Sequence, residues 1–162
     1  MARHFAELNS DNKVIRVIVV ADDITGSLQS TESETYMESN FSHNEGGVSW
    51  KETSKTAAFR NIYAGNNCSY LPSDDVFIPQ KTAPSWTLDS NYVWQAPVTY
   101  PNVLTYGDDD EPYYIAWDET NQKFIAYERG DTALTTEYEW DAVNLSWSAT
   151  GNTGWNNNYI PC

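Results

Sequence analysis

The feature that most constrains this chain is a plan repeated in its second half: an aromatic strand, a turn led by aspartate, and a returning aromatic. Residues 114–124 read Tyr-Ile-Ala-Trp-Asp-Glu-Thr-Asn-Gln-Lys-Phe, and residues 138–147 read Tyr-Glu-Trp-Asp-Ala-Val-Asn-Leu-Ser-Trp. A tighter version, Trp-Thr-Leu-Asp-Ser-Asn-Tyr-Val-Trp, occupies 86–94. Asp and Asn side chains bond their own backbone in turns, and rings on either side of a short turn can meet across paired strands. Each copy therefore predicts a small β-hairpin, with Asp118 and Asp141 as turn residues. An isolated hairpin is marginal in water, so these units must pack on one another or on a partner.

The first half is built differently. Residues 4–8 alternate, 9–13 (Asn-Ser-Asp-Asn-Lys) are turn formers, and 14–20 are strongly β-branched. This predicts a hairpin whose second strand is buried on both faces, since its apolar residues are nearly continuous. The pattern changes after residues 21–26. Ser30, Thr31, Glu32 and Glu34 then precede Tyr36, Met37 and Phe41, which predicts one short helix with acids in its first turn. Gly46-Gly47 ends it, and 48–53 resume an extended pattern. Residues 55–70 predict a long ordered loop pinned by Phe59, Tyr63 and Tyr70, and 76–79 a short strand cut off by proline. The fold class expected is mainly β, a β-rich α+β chain. An N-terminal hairpin unit with at most one short helix spans 1–84, and aromatic hairpin modules follow over 85–162.

Charge narrows the partners. Asp and Glu number 23 against 9 Lys and Arg, a formal net charge of -14, which repels phosphate backbones and anionic membrane surfaces. No apolar run approaches the ~20 residues of a membrane span, and the N-terminus lacks the apolar stretch of a signal peptide, so the chain reads as soluble and unprocessed.

No constellation amounts to a catalytic, cofactor or metal site. Asp108-Asp-Asp-Glu111 lies between Gly107 and Pro112 as a solvated loop and lacks the spacing of a known calcium loop. His4 and His43 have no partner at suggestive spacing. Cys68 and Cys162 belong to no metal-binding pattern, and whether they pair is open. There is no Gly-x-Ser-x-Gly elbow and no phosphate-binding glycine loop. What remains is the aromatic set. Trp86, Trp94, Trp117, Phe124, Trp140 and Trp147 are the candidate interface residues, since such rings bury large rigid area at little rotamer cost. The same rings can pack on each other as the core of the modules, and the two readings are compatible.

Several stretches resemble a family of small proteins encoded by marine tailed phages, especially cyanophages. They are Met-Ala-x-His-Phe-Ala at the start with Val-Ile-x-Val-Ile-Val-Val after it, Gly46-Gly-x-x-Trp50-x-x-Thr53-Ser54, Phe59-Arg60-x-x-Tyr63-Ala64-Gly65, Phe77-Ile-Pro79-x-Lys81-x-x-x-Ser85-Trp86, and Trp-Asp-Glu at 117–119. The resemblance runs in order through residues 1–125, with a further hairpin beyond Tyr127. It departs at Lys55-Thr-Ala-Ala, where the family has an Asn/Gly-rich turn, and at Pro79-Gln-Lys-Thr, where it has Pro-Pro-Lys-Pro. It implies a virion structural protein. The expected function is thus a non-enzymatic accessory on the particle exterior, either a capsid decoration or cement protein or one associated with tail or fibre. Its expected partners are other virion proteins, in several copies, with no nucleic acid, membrane or cofactor. The alternative is an adsorption module that binds host-surface glycans through the aromatic hairpins.

Overall fold

A computed structural model describes residues 2–21, 31–44 and 46–162. The break expected over 22–26 and the capping residue expected at Ser30 lie outside the described residues. The chain is mainly β: among the described residues 39% are in strands and there is one short helix. It divides into two compact units, Met1–Gln80 and Lys81–Cys162. The division falls before the expected Pro84 because Ala83 is buried in the second unit's core and Lys81 lies over the ring of Trp94.

In the first unit, β1 (Arg3–Asn9) is the central strand of a three-stranded antiparallel sheet, flanked by β2 (Val14–Val20) and β3 (Gly47–Thr53). The Asn9 side chain accepts from the N–H groups of Asp11 and Lys13 and so closes the β1–β2 turn. Register places Phe5 opposite Ile18 and Glu52, and Ala6 opposite Val17 and Lys51. Since strand side chains alternate between faces, Phe5, Val20 and Trp50 form one small core with Met37. Ala6, Leu8 and Val14 form another with Ala64, Tyr70 and Phe77. Burial of β2 on both faces is corrected: it is an outer strand, most of its residues are half-buried, and Val19 is exposed. The doubly covered strand is β1, because Phe5 enters the core with Met37 on one face and Ala6 and Leu8 enter the core with Tyr70 and Phe77 on the other.

The helix, α1 (Thr31–Asn40), attaches to the sheet through Met37 in that core and through carboxylates. Glu34 accepts from the Glu52 N–H at 3.0 Å, and Glu38 from the Trp50 N–H at 2.6 Å. Four residues of helix rise about 6 Å, and two residues of strand advance about 6.7 Å, so acids at i and i+4 match alternate strand amides. This covers β3 on the side away from β1, the position where an open edge invites unwanted pairing. Glu34 is itself held by Lys51 and by Arg60, whose guanidinium also reaches Asp75. The loop expected over 55–70 ends before Ser69, where residues 69–71 pair as a strand and carry Tyr70 into the core; it is tied in by Ala64 N–H on Thr53 and Asn61 on Phe77 O. The hairpin β4 (Ser69–Leu71) and β5 (Val76–Ile78) closes the unit.

The second unit begins with a two-stranded hairpin, β6 (Thr87–Leu88) and β7 (Trp94–Gln95). Its main sheet runs in the order β12 (Ser146–Ala149), β11 (Tyr138–Asp141), β10 (Lys123–Glu128), β9 (Glu111–Asp118) and β13 (Tyr159–Pro161). A short strand, β8 (Thr105–Tyr106), pairs with the start of β9, while β13 pairs with its end. The sheet curls into a half-barrel. Trp117, Phe124, Ala126 and Trp140 line one face, and Ala116, Ile125 and Tyr127 the other.

Candidate functional site

The two long repeats fold alike, down to individual bonds. Asp118 Oδ1 accepts from the N–H groups of Thr120 and Asn121, and its Oδ2 accepts from the Asn121 amide at 2.7 Å. Asp141 makes the same three bonds to Val143 and Asn144. The residue after each asparagine takes a positive φ, 51° at Gln122 and 52° at Leu145, which turns the chain back. Trp117 is thereby paired with Phe124, and Trp140 with Trp147, with ring centroids 4.9 and 5.1 Å apart. The shorter copy at 86–94 follows the same logic, with Asp89 capping Asn91 and Val93, and Tyr92 at φ 62°.

These pairs decide which candidate residues can meet a partner. Trp117, Phe124 and Trp140 are buried inside their own unit. They are removed from the interface assignment, because a curled sheet turns one row of rings inward and those rings supply its core. Trp86, Trp94 and Trp147 are half-buried and keep some surface. Trp86 packs edge-on against Trp117, and Trp147 stands beside Tyr113.

Besides scattered exposed side chains such as Val19, Val48 and Val93, apolar residues are exposed at the tip of one hairpin and before β8, where sequence reasoning did not place them. Val143 is 90% exposed and Leu145 47% at the tip of the β11–β12 hairpin. Val103 and Leu104, just before β8, are also exposed. The Trp147 indole donates to Val103 O at 2.7 Å and so links the two groups. Turn tips usually read as polar, and the only signal here was Val and Leu where the matching copy has Thr and Gln.

A second surface feature is a cleft of about 580 Å³ bounded by Trp86, Trp94, Gln95, Val98, Thr99 and Tyr100. Trp86 and Tyr100 both rest on Phe124, at 6.3 and 5.0 Å between centroids, so its aromatic walls stand on the core.

On the opposite face of the sheet Glu137 is a buried carboxylate whose side-chain donors among the described residues are neutral. It accepts from Tyr127, Tyr159, Thr150 and Asn152. Burial acts to raise its pKa, but the donors, Asn152 foremost, outweigh burial and hold it below the usual carboxylate range. This carboxylate fastens the C-terminal strand through Tyr159.

The remaining polar candidates are placed as follows. Asp108, Asp109 and Asp110 form the exposed turn between β8 and β9, where Glu111 begins the second strand. Among the described residues no group of three or more His, Cys, Asp or Glu side chains is arranged to hold a metal ion. His4 meets Tyr63 edge-on, with Nδ1 3.1 Å from its hydroxyl. His43 does have acidic partners, contrary to the sequence reading: Nδ1 is 3.0 Å from Glu7 and Nε2 3.1 Å from Glu38, with the ring stacked on Trp50. Glu7 is 36 positions away and arrives only through sheet pairing. Cys68 and Cys162 are free thiols.

No protein-family model, curated protein or solved structure matches this chain.

Proposed function

We propose that the chain is a non-enzymatic structural accessory of a tailed-phage particle, attached to the exterior of capsid or tail through the rim of its second unit. The observation that carries this reading is the exposure of Val103 and Leu104 before β8 and of Val143 and Leu145 at the β11–β12 tip, two stretches tied by the bond from the half-buried Trp147 to Val103 O. Apolar side chains at turn tips contribute nothing to their own core, whereas an interface uses such residues around an aromatic anchor. The net charge of -14 suits an outer position, since a surface lining packaged DNA would be repelled by it. The resemblance of residues 1–125 to small proteins of marine tailed phages supports the same assignment.

Co-sedimentation of the purified chain with capsids and tails of the phage that encodes it tests the proposal. The wild-type chain is expected in the pellet, and Leu104→Asp or Leu145→Asp in the supernatant. A wild-type chain that stays in the supernatant with both would overturn it.

A further inference from the structure

The cleft bounded by Trp86, Trp94 and Tyr100 has the makings of a second, independent site. Its walls are rings, and rings stack on the C–H face of a pyranose. Its volume of about 580 Å³ falls within the ~300–1,000 Å³ common for small-molecule sites, room for a disaccharide.

The polar groups at its edge are fixed before any ligand arrives. Gln95 donates its amide to Asp89 Oδ2 at 2.9 Å, which orients the amide, and Asp89 is anchored by the N–H groups of Val93 and Asn91. Lys81 is pinned as well, donating to Pro84 O while lying 5.3 Å from the Trp94 ring centroid. Thr99 supplies a hydroxyl beside Tyr100. A site whose side chains are already ordered loses less entropy on binding.

We infer that this cleft binds a neutral pyranose disaccharide, stacked on Trp94 and hydrogen-bonded by Gln95. The charge of the chain selects the neutral class: at -14, uronates and sialates are repelled at low ionic strength. Of the aromatic hairpins expected to bind saccharide, this places the site on β6–β7, since Trp117 has no exposed surface. The inference does not depend on particle attachment, which rests on Val103, Leu104, Val143 and Leu145 and on none of the cleft residues named above.

Titration of the full chain with maltose, cellobiose and N,N′-diacetylchitobiose, followed by the indole N–H signals in NMR, tests it. At least one sugar is expected to saturate, shifting the Trp86 and Trp94 signals and leaving Trp155 unmoved. Trp94→Ala is expected to weaken binding by about tenfold or more, and Gln95→Ala, which preserves the rings, by a few-fold. No saturation with any of the three would overturn the inference. So would shifts confined to Trp147, wild-type affinity in Gln95→Ala, or preferential binding of sialyllactose.

Discussion

The hydroxyls of Tyr127 and Tyr159 converge on one atom, Oε2 of Glu137, at 2.9 and 2.7 Å. Tyr127 belongs to β10 and Tyr159 to β13, strands separated in the sheet by β9. A single carboxylate under the sheet thus joins the C-terminal strand to the centre of its unit.

Replacing Glu137 by Gln should destabilise the second unit by about 1–3 kcal/mol at pH 7, because an amide offers one acceptor and turns a donor toward others. The effect carries a pH signature. Glu137 has a folded pKa below its unfolded value, so its contribution is complete above the ordinary glutamate range, about 4.3, and is lost as pH falls through the lower folded value. Chemical denaturation of both proteins from pH 7 to pH 3 should show the gap narrowing at the acid end. A constant gap would mean that the carboxylate's charge is irrelevant.

The duplicated turns give an internal comparison. Asp118 is 2% exposed, whereas Asp141 is only half-buried. Asp118→Ala should therefore cost about 1–3 kcal/mol through its orphaned donors, and Asp141→Ala clearly less, as solvent can replace the lost acceptor. Equal losses in urea unfolding would contradict this account of the turns.

Much of this was legible in the sequence. The aromatic hairpins, the Asp-led turns and the N-terminal hairpin follow from alternation and turn chemistry within a dozen residues. The pairing of β9 with β13 did not: β13 is three residues long and returns from about forty positions away, so no local pattern marks it. The inward turn of Trp117, Phe124 and Trp140 was equally hidden, since a Trp on a strand reads the same whether its sheet is flat or curled. The link from His43 to Glu7 depends on register between strands that sequence periodicity leaves open.

Leu145 separates stability from binding. Its φ of 52° is unfavourable for a residue with a Cβ, by about 1–2 kcal/mol, and glycine relieves this at an entropic cost of about 0.5–1 kcal/mol. Leu145→Gly should thus raise the melting temperature slightly while weakening particle binding. A variant that melts lower would place the side chain in the fold's own core.

In the first unit, Glu34→Ala removes the acceptor of the Glu52 amide and the partner of Arg60 together. The pair is largely buried, with side chains 11% and 7% exposed. A loss of about 3–5 kcal/mol is expected, with faster hydrogen exchange at Glu52 and Trp50 along the uncovered side of β3. Unchanged exchange there would show that the helix does not protect the strand.

The most direct test of exterior attachment is an image reconstruction of the intact virion at a resolution that resolves strands. Attachment predicts density for the half-barrel on the outside of capsid or tail, with residues 103–104 and 143–147 against a neighbouring subunit. Particles whose density is fully assigned to other chains, or density for this chain inside the shell against DNA, would contradict it.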